Sequence, residues 1–206
     1  MNYVSVMSLK YSAAATKFSF WFNEYRKVLS LVRDGMTKEE IMRLSKEENI
    51  FSVAKSDRGT SIASTVYERV VSIPEELHRF MDTGDLETQR LIVLISIMRT
   101  ERLFFEFMFE VFRDKTMVGD VILRDSDFRT FFHEKQMSSE TVAKWTEVSL
   151  NRLRKTYKVY LADAGLTDRS IGDRKIIKPY LDHEFTDALL RIDMEPFLKA
   201  LGRICS

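Results

Sequence analysis

A chain of 206 residues with a formal net charge of +1 and 45% hydrophobic residues buries a substantial core, and its overall charge draws it to no polyanion. Seven glycines and three prolines are too few for a turn-rich β fold and favour long helices. A single cysteine, Cys205, excludes an intramolecular disulfide and suits a reducing compartment.

No basic segment followed by an apolar one opens the chain, so no signal peptide is expected. The longest apolar run near the middle, Leu91 to Ile95, is far short of the roughly 18 residues of a membrane span. These features together predict a soluble, cytoplasmic protein without a membrane partner.

From Phe20 to Asp34, Phe22, Tyr25, Val28, Leu29 and Val32 recur at helical spacing, and Gly35 is a natural stop. Thr37, with Glu40 three residues on, spells a capping box for the next helix, which Asn49 closes. A third helix starts at Ser56 or Asp57, sets Ile62, Val66 and Val70 on one face, and stops before Ile73-Pro74. Three short helices with tight connections make residues 1–73 a helix-turn-helix-like subdomain.

Residues 74–118 form the expected centre. Pro74 opens a helix with Glu75 and Glu76 in its first turn, where the helix dipole favours acids, and it ends near Thr83-Gly84. From Asp85 to Lys115 the sequence is apolar on nearly every side between Leu91 and Phe112, the mark of a helix surrounded by others. Its Phe and Met stripe reads as core packing rather than as a ligand pocket.

Residues 119–206 repeat the logic of the N-terminal part. Asp125 and Asp127 cap a helix through "FRTFFHEKQ", and Ser138 or Ser139 caps the next. Thr146 leads into a helix from Glu147 to Asp163 whose buried stripe is Leu150, Leu153, Tyr157, Tyr160 or Leu161, and Ala164. Its solvent side carries Ser149, Arg152, Lys155, Thr156 and Val159, with Asn151, Arg154 and Lys158 on the flank. After Gly165, a turn at Gly172-Asp173 between Leu166-Thr167 and Ile176-Ile177 predicts a small β-hairpin. Short helices over Asp182 to Arg191 and Glu195 to Arg203 close the chain. Helix, helix, basic helix and hairpin make a winged-helix-like unit, in which the third helix reads a groove and the wing touches backbone.

Charge is concentrated in that unit. Residues 147–178 hold eight Lys and Arg against four acids, an excess of four positive charges, well above that of the whole chain. Clustered cations release counterions from a phosphate backbone. The candidate DNA contacts are therefore Arg152, Arg154, Lys155, Thr156, Lys158, Arg169, Arg174, Lys175 and Lys178. A second set, Arg58, Ser61, Thr65 and Arg69, lies on the third N-terminal helix, where small hydroxyls beside arginines permit close backbone approach. Against both stands the simpler reading that a charged helix face is solvated and that hydroxyls at a helix start are caps.

Nothing points to catalysis. His78, His133 and His183 have no second histidine at helical spacing, and Asp182-His183-Glu184 sits at a helix start, where acids are expected anyway. There is no glycine-rich phosphate loop and no nucleophile setting. The sequence thus predicts no metal, no cofactor and no small-molecule substrate.

The segments from Tyr11 to about Leu166, above all "DLETQRL" and "KWTEVSLNRLRKTY", resemble the BrxA family of BREX bacteriophage-exclusion systems. The resemblance implies a mainly α, multi-helix bundle similar to the NusB fold, without enzymatic activity. It also implies binding of double-stranded DNA and work beside other BREX proteins. Two alternatives stay open: a scaffold for sister BREX components that touches no nucleic acid, and RNA binding, which follows only from the NusB likeness.

Overall fold

Capping side chains and apolar spacing act together in the first third of the computed structural model, which describes residues 3–203. Helix α1 (Tyr3–Met7) leads through a 3-10 turn (Ala14–Lys17) to α2 (Phe22–Arg33), which buries Tyr25, Val28 and Leu29. Helix α3 (Lys38–Glu48) begins with the expected capping box, in which Thr37 N donates to Glu40 Oε2 at 2.8 Å and Glu40 N donates to Thr37 Oγ1 at 3.3 Å. Helix α4 (Ser56–Ser72) packs on both α2 and α3 and buries Ile62, Val66 and Val70. Its approach to α3 is close, since a Cβ on Gly59 would stand 2.8 Å from Ser45 Oγ.

Two single-turn helices, α5 (Glu75–His78) and α6 (Phe80–Thr83), turn the chain into α7 (Leu86–Thr100). Asp85 caps α7 by accepting from Thr88 N at 2.7 Å, and every residue from Leu91 to Arg99 is buried. The expected single long helix does not continue. The backbone leaves helical geometry at Glu101 (φ −129°, ψ 91°), and α8 (Arg102–Phe107), a π turn (Met108–Phe112) and α9 (Arg113–Val118) follow. The break turns the Glu101 carboxylate inward, where it accepts from Arg69 at 2.9 Å and from Tyr160 at 3.3 Å. Apolar periodicity cannot reveal such a break, because the residues on either side of it are buried alike.

Strand β1 (Ile122–Leu123) precedes α10 (Asp125–Ser138), α11 (Glu140–Ala143) and α12 (Glu147–Asp163). Ser139 and Thr146 cap α11 and α12. Strand β2 (Arg174–Lys175) pairs antiparallel with β1, Ile122 facing Lys175 and Leu123 facing Arg174. The expected hairpin is reduced to one antiparallel bridge, Thr167 with Ile176, and the regular partner of β2 is β1, a strand too short to be seen in the sequence. Helices α13 (His183–Arg191) and α14 (Glu195–Ala200) complete the described chain, and Cys205 lies outside the described residues.

One buried cluster runs from Val6 to Leu201. Its middle is aromatic: Phe104 meets Tyr157 edge-on at 4.9 Å, and Phe107 stacks on Phe128 at 4.6 Å. Such pairs add about 0.5–1.5 kcal/mol each beyond area burial. They fix both α12 and α10 against α8, so the outward face of α12 is set by what its inward face fills.

Candidate nucleic-acid interface

Helix α12 takes the phase expected of it. Leu150, Leu153, Tyr157, Ala164 and both Tyr160 and Leu161 are buried, while Arg152, Lys155 and Val159 are exposed. Thr156 is half-buried. Leu153→Ala or Tyr157→Ala is therefore expected to cost about 2–5 kcal/mol of stability, and Arg152→Ala almost nothing. Urea unfolding followed by circular dichroism checks this, and equal losses for Arg152 and Leu153 would contradict the phase.

Arg152 and Lys155 have no carboxylate partner among the described residues. Their neighbours on the flank are engaged. Arg154 pairs with Glu147 and donates to Asn151 Oδ1 at 2.7 Å. Lys158 meets Asp125 Oδ1 at 2.6 Å, with its ammonium 5.3 Å from the centre of the Phe128 ring. Lys158 is thus a tether between α12 and the start of α10 rather than a free phosphate ligand.

Asp125 receives Arg174 as well. This arginine, expected to reach DNA from the hairpin, is 0% exposed. It bonds the Asp125 carboxylate and the Gly172 carbonyl, and its guanidinium lies 4.9 Å from the centre of the Phe128 ring. The assignment of Arg174 to the DNA surface is therefore corrected. Successive strand residues point to opposite faces, and the register with β1 turns Arg174 inward and Lys175 outward. Burial pushes the Asp125 carboxyl up, but Lys158 and Arg174 outweigh it and hold it below the usual carboxylate range. Asp173 Oδ1 accepts from Asp125 N at 3.2 Å, which closes the clasp between the hairpin and α10.

Lys175 is exposed, and its backbone N–H donates to Asp168 Oδ1 at 2.8 Å. Arg169, though exposed, grips Asp168 at 2.9 Å. The tip of the loop between them is Ile171, exposed at 82%. Lys178 is exposed in an extended segment beside Thr116 and Leu201, away from the clasp.

The second predicted set divides. Arg69 is 1% exposed and corrected in the same way: it pairs with Glu101 at 2.9 Å and donates to Tyr160 Oη at 3.0 Å and to Ser19 O at 2.9 Å. It closes the N-terminal segment onto α12. Arg58 is half-buried, donating to Lys17 O at 2.7 Å with its guanidinium 5.2 Å from the Trp21 ring centre. Ser61 is exposed and Thr65 half-buried. What the fold gathers is thus a short row, Arg152 and Lys155 along α12, whose end is tied through Lys158 and Asp125 to the strand presenting Lys175.

No group of three or more potential metal ligands occurs among the described residues, and no helix among them is long and apolar enough to cross a membrane. His78 is buried against Glu75 at 3.0 Å, and His183 pairs with Asp187 at 3.0 Å.

Residues 9–193 match a family model described as BrxA. A protein of Bacillus cereus (strain H3081.97) named "BREX protein BrxA" is 39% identical over 181 residues, covering 88% of this chain and 86% of that protein. Among solved structures, the crystal structure of an uncharacterized protein from Magnetospirillum magneticum superposes with a TM-score of 0.78 at 17% identity. It covers 94% of this chain and 98% of that one, and is a likeness of fold alone.

Proposed function

The chain belongs to the BrxA family, and from that premise we propose that it is a non-enzymatic accessory protein of a BREX phage-defence system that binds duplex DNA in the cytoplasm. The observation that carries the DNA reading is the pair Arg152 and Lys155, exposed on a helix whose other cations are neutralised within the fold. Two cations without local counter-charge are free to displace ions from phosphates, and Lys175 extends the row from the clasped strand. The elements β1, α10, α11, α12 and β2 follow one another as in a winged helix, with α12 in the place of the recognition helix. Ser61, Arg58 and Thr65 on α4 form a subsidiary surface. Contacts of this kind favour sequence-nonspecific or weakly specific binding, because they address backbone rather than base edges.

Gel-shift titration with duplex DNA, single-stranded DNA and RNA at two salt concentrations tests this reading. Duplex binding in the micromolar range or tighter is expected at low salt, falling steeply as salt rises, by about 0.9 log unit of affinity per log unit of salt for each phosphate contact. No duplex retardation at low salt would leave the protein as a scaffold for other BREX components. Tighter binding to RNA than to duplex would favour an RNA partner.

A further inference from the structure

Away from the clasp, Met117, Val118, Val121, Ile177 and Tyr180 are all exposed, Val118 at 80% and Tyr180 at 69%. The small sheet brings their two segments side by side, with Ile176 N donating to Val121 O at 2.8 Å. Isolated exposed hydrophobics need no explanation, but five gathered on adjoining segments mark an interaction surface.

The backbone there is unusual too. Ile177 N still donates to Leu166 O at 2.9 Å, after which the chain runs through 178–181 without turn or bend. Among the described residues, the backbone groups of Lys178, Tyr180 and Leu181 have no hydrogen-bonded partner. This stretch walls a groove of about 400 Å³ whose opposite side includes Thr116, Leu201 and Gly202. Unpaired extended backbone beside an apolar groove is a template for an added strand. Residues two apart share an edge, so Pro179, which lacks an N–H, leaves the edge of Lys178 and Tyr180 complete.

Charge indicates what fits. Lys178 and Arg203 line the groove without a carboxylate partner among the described residues, Arg203 donating only to Thr186 Oγ1 at 2.8 Å. Of the acids nearest in sequence to these lining residues, Asp114 is held by Arg113 at 2.7 Å and Asp120 by Lys115 at 2.8 Å, while Asp182 caps α13 by accepting from Phe185 N at 3.1 Å. We propose that this groove receives an extended segment of a partner protein, acidic and apolar in composition, added as a strand along Lys178 and Tyr180. Backbone bonds hold the strand, its apolar side chains cover Tyr180 and Leu201, and its carboxylates meet Lys178 and Arg203. The proposal stands apart from the row of Arg152, Lys155 and Lys175, and it reassigns Lys178, one of the expected DNA contacts, to a protein-binding surface.

Selection of short random peptides displayed on phage against the immobilised full-length protein tests it. Enriched peptides are then synthesised and titrated by fluorescence anisotropy against wild type, Lys178→Glu and Tyr180→Asp. Acidic residues alternating with Val, Ile, Leu or Phe are expected, with binding weakened about tenfold or more by either substitution. Melting temperatures should not move, because both side chains are exposed. No enrichment, enrichment of basic peptides, or binding indifferent to both substitutions overturns the proposal. So does a wild-type dimer in sedimentation equilibrium that Tyr180→Asp makes monomeric, since the groove's occupant would then be a second copy of this chain.

Discussion

Arg69→Met is expected to lower the unfolding free energy by about 3 kcal/mol at neutral pH, because it leaves the mostly buried Glu101 carboxylate without its counter-charge. Burial already pushes the Glu101 carboxyl up against the pull of Arg69 and Tyr160, and its Oε2 has no partner among the described groups. Without Arg69 its folded-state pKa rises further above the unfolded value. The folded state then binds a proton that the unfolded state does not, so the variant loses stability as pH rises through that interval. The deficit relative to wild type should accordingly shrink in acid. Adding Glu101→Gln should recover much of it, and urea midpoints at two pH values would show both effects. An Arg69→Met protein as stable as wild type would mean that the pair contributes nothing.

Arg99 supplies the contrast. It is equally buried but has no carboxylate partner among the described residues, only Met194 Sδ at 3.4 Å and the Phe197 ring centre at 5.8 Å. Burial pushes its guanidinium down to about 10. Arg99→Met should therefore be neutral or stabilising, by up to about 4 kcal/mol, since it removes a desolvated charge and strands no partner.

The largest expected effect on binding comes from Arg152→Glu with Lys155→Glu. Together they remove two phosphate contacts and set two negative charges against the duplex. Retardation should vanish at salt concentrations where wild type binds fully. Replacing the same pair by Ala should leave residual binding whose log–log salt slope is flatter by about two units. Lys175→Glu should weaken binding less, and all three changes should leave melting unaltered because the residues are exposed. Arg174 is unsuitable for this experiment. Arg174→Glu would bury a second carboxylate against Asp125 and release the hairpin, so lost binding would report lost structure. Binding that survives the Arg152 and Lys155 reversal with its slope intact would move the surface to Arg58 and Ser61, or away from DNA.

Much of this molecule was legible in its residues. The Thr37–Glu40 capping box, the caps at Ser139 and Thr146 and the stops at Asn49 and Gly35 are local devices, each settled within a few residues. The buried stripe of α12 follows from periodicity alone, and with it the exposure of Arg152 and Lys155. Tertiary structure decided which cations are free. Arg69 and Arg174 carry the same charge as Arg152. Their burial depends on Glu101, which lies 32 residues from Arg69, and on Asp125, 49 residues from Arg174. The kink at Glu101 and the pairing of β2 with β1 arise in the same way, from partners distant in the chain. Periodicity reports which side of an element is apolar, whereas a charged side chain is placed by the carboxylate that the rest of the fold carries to it.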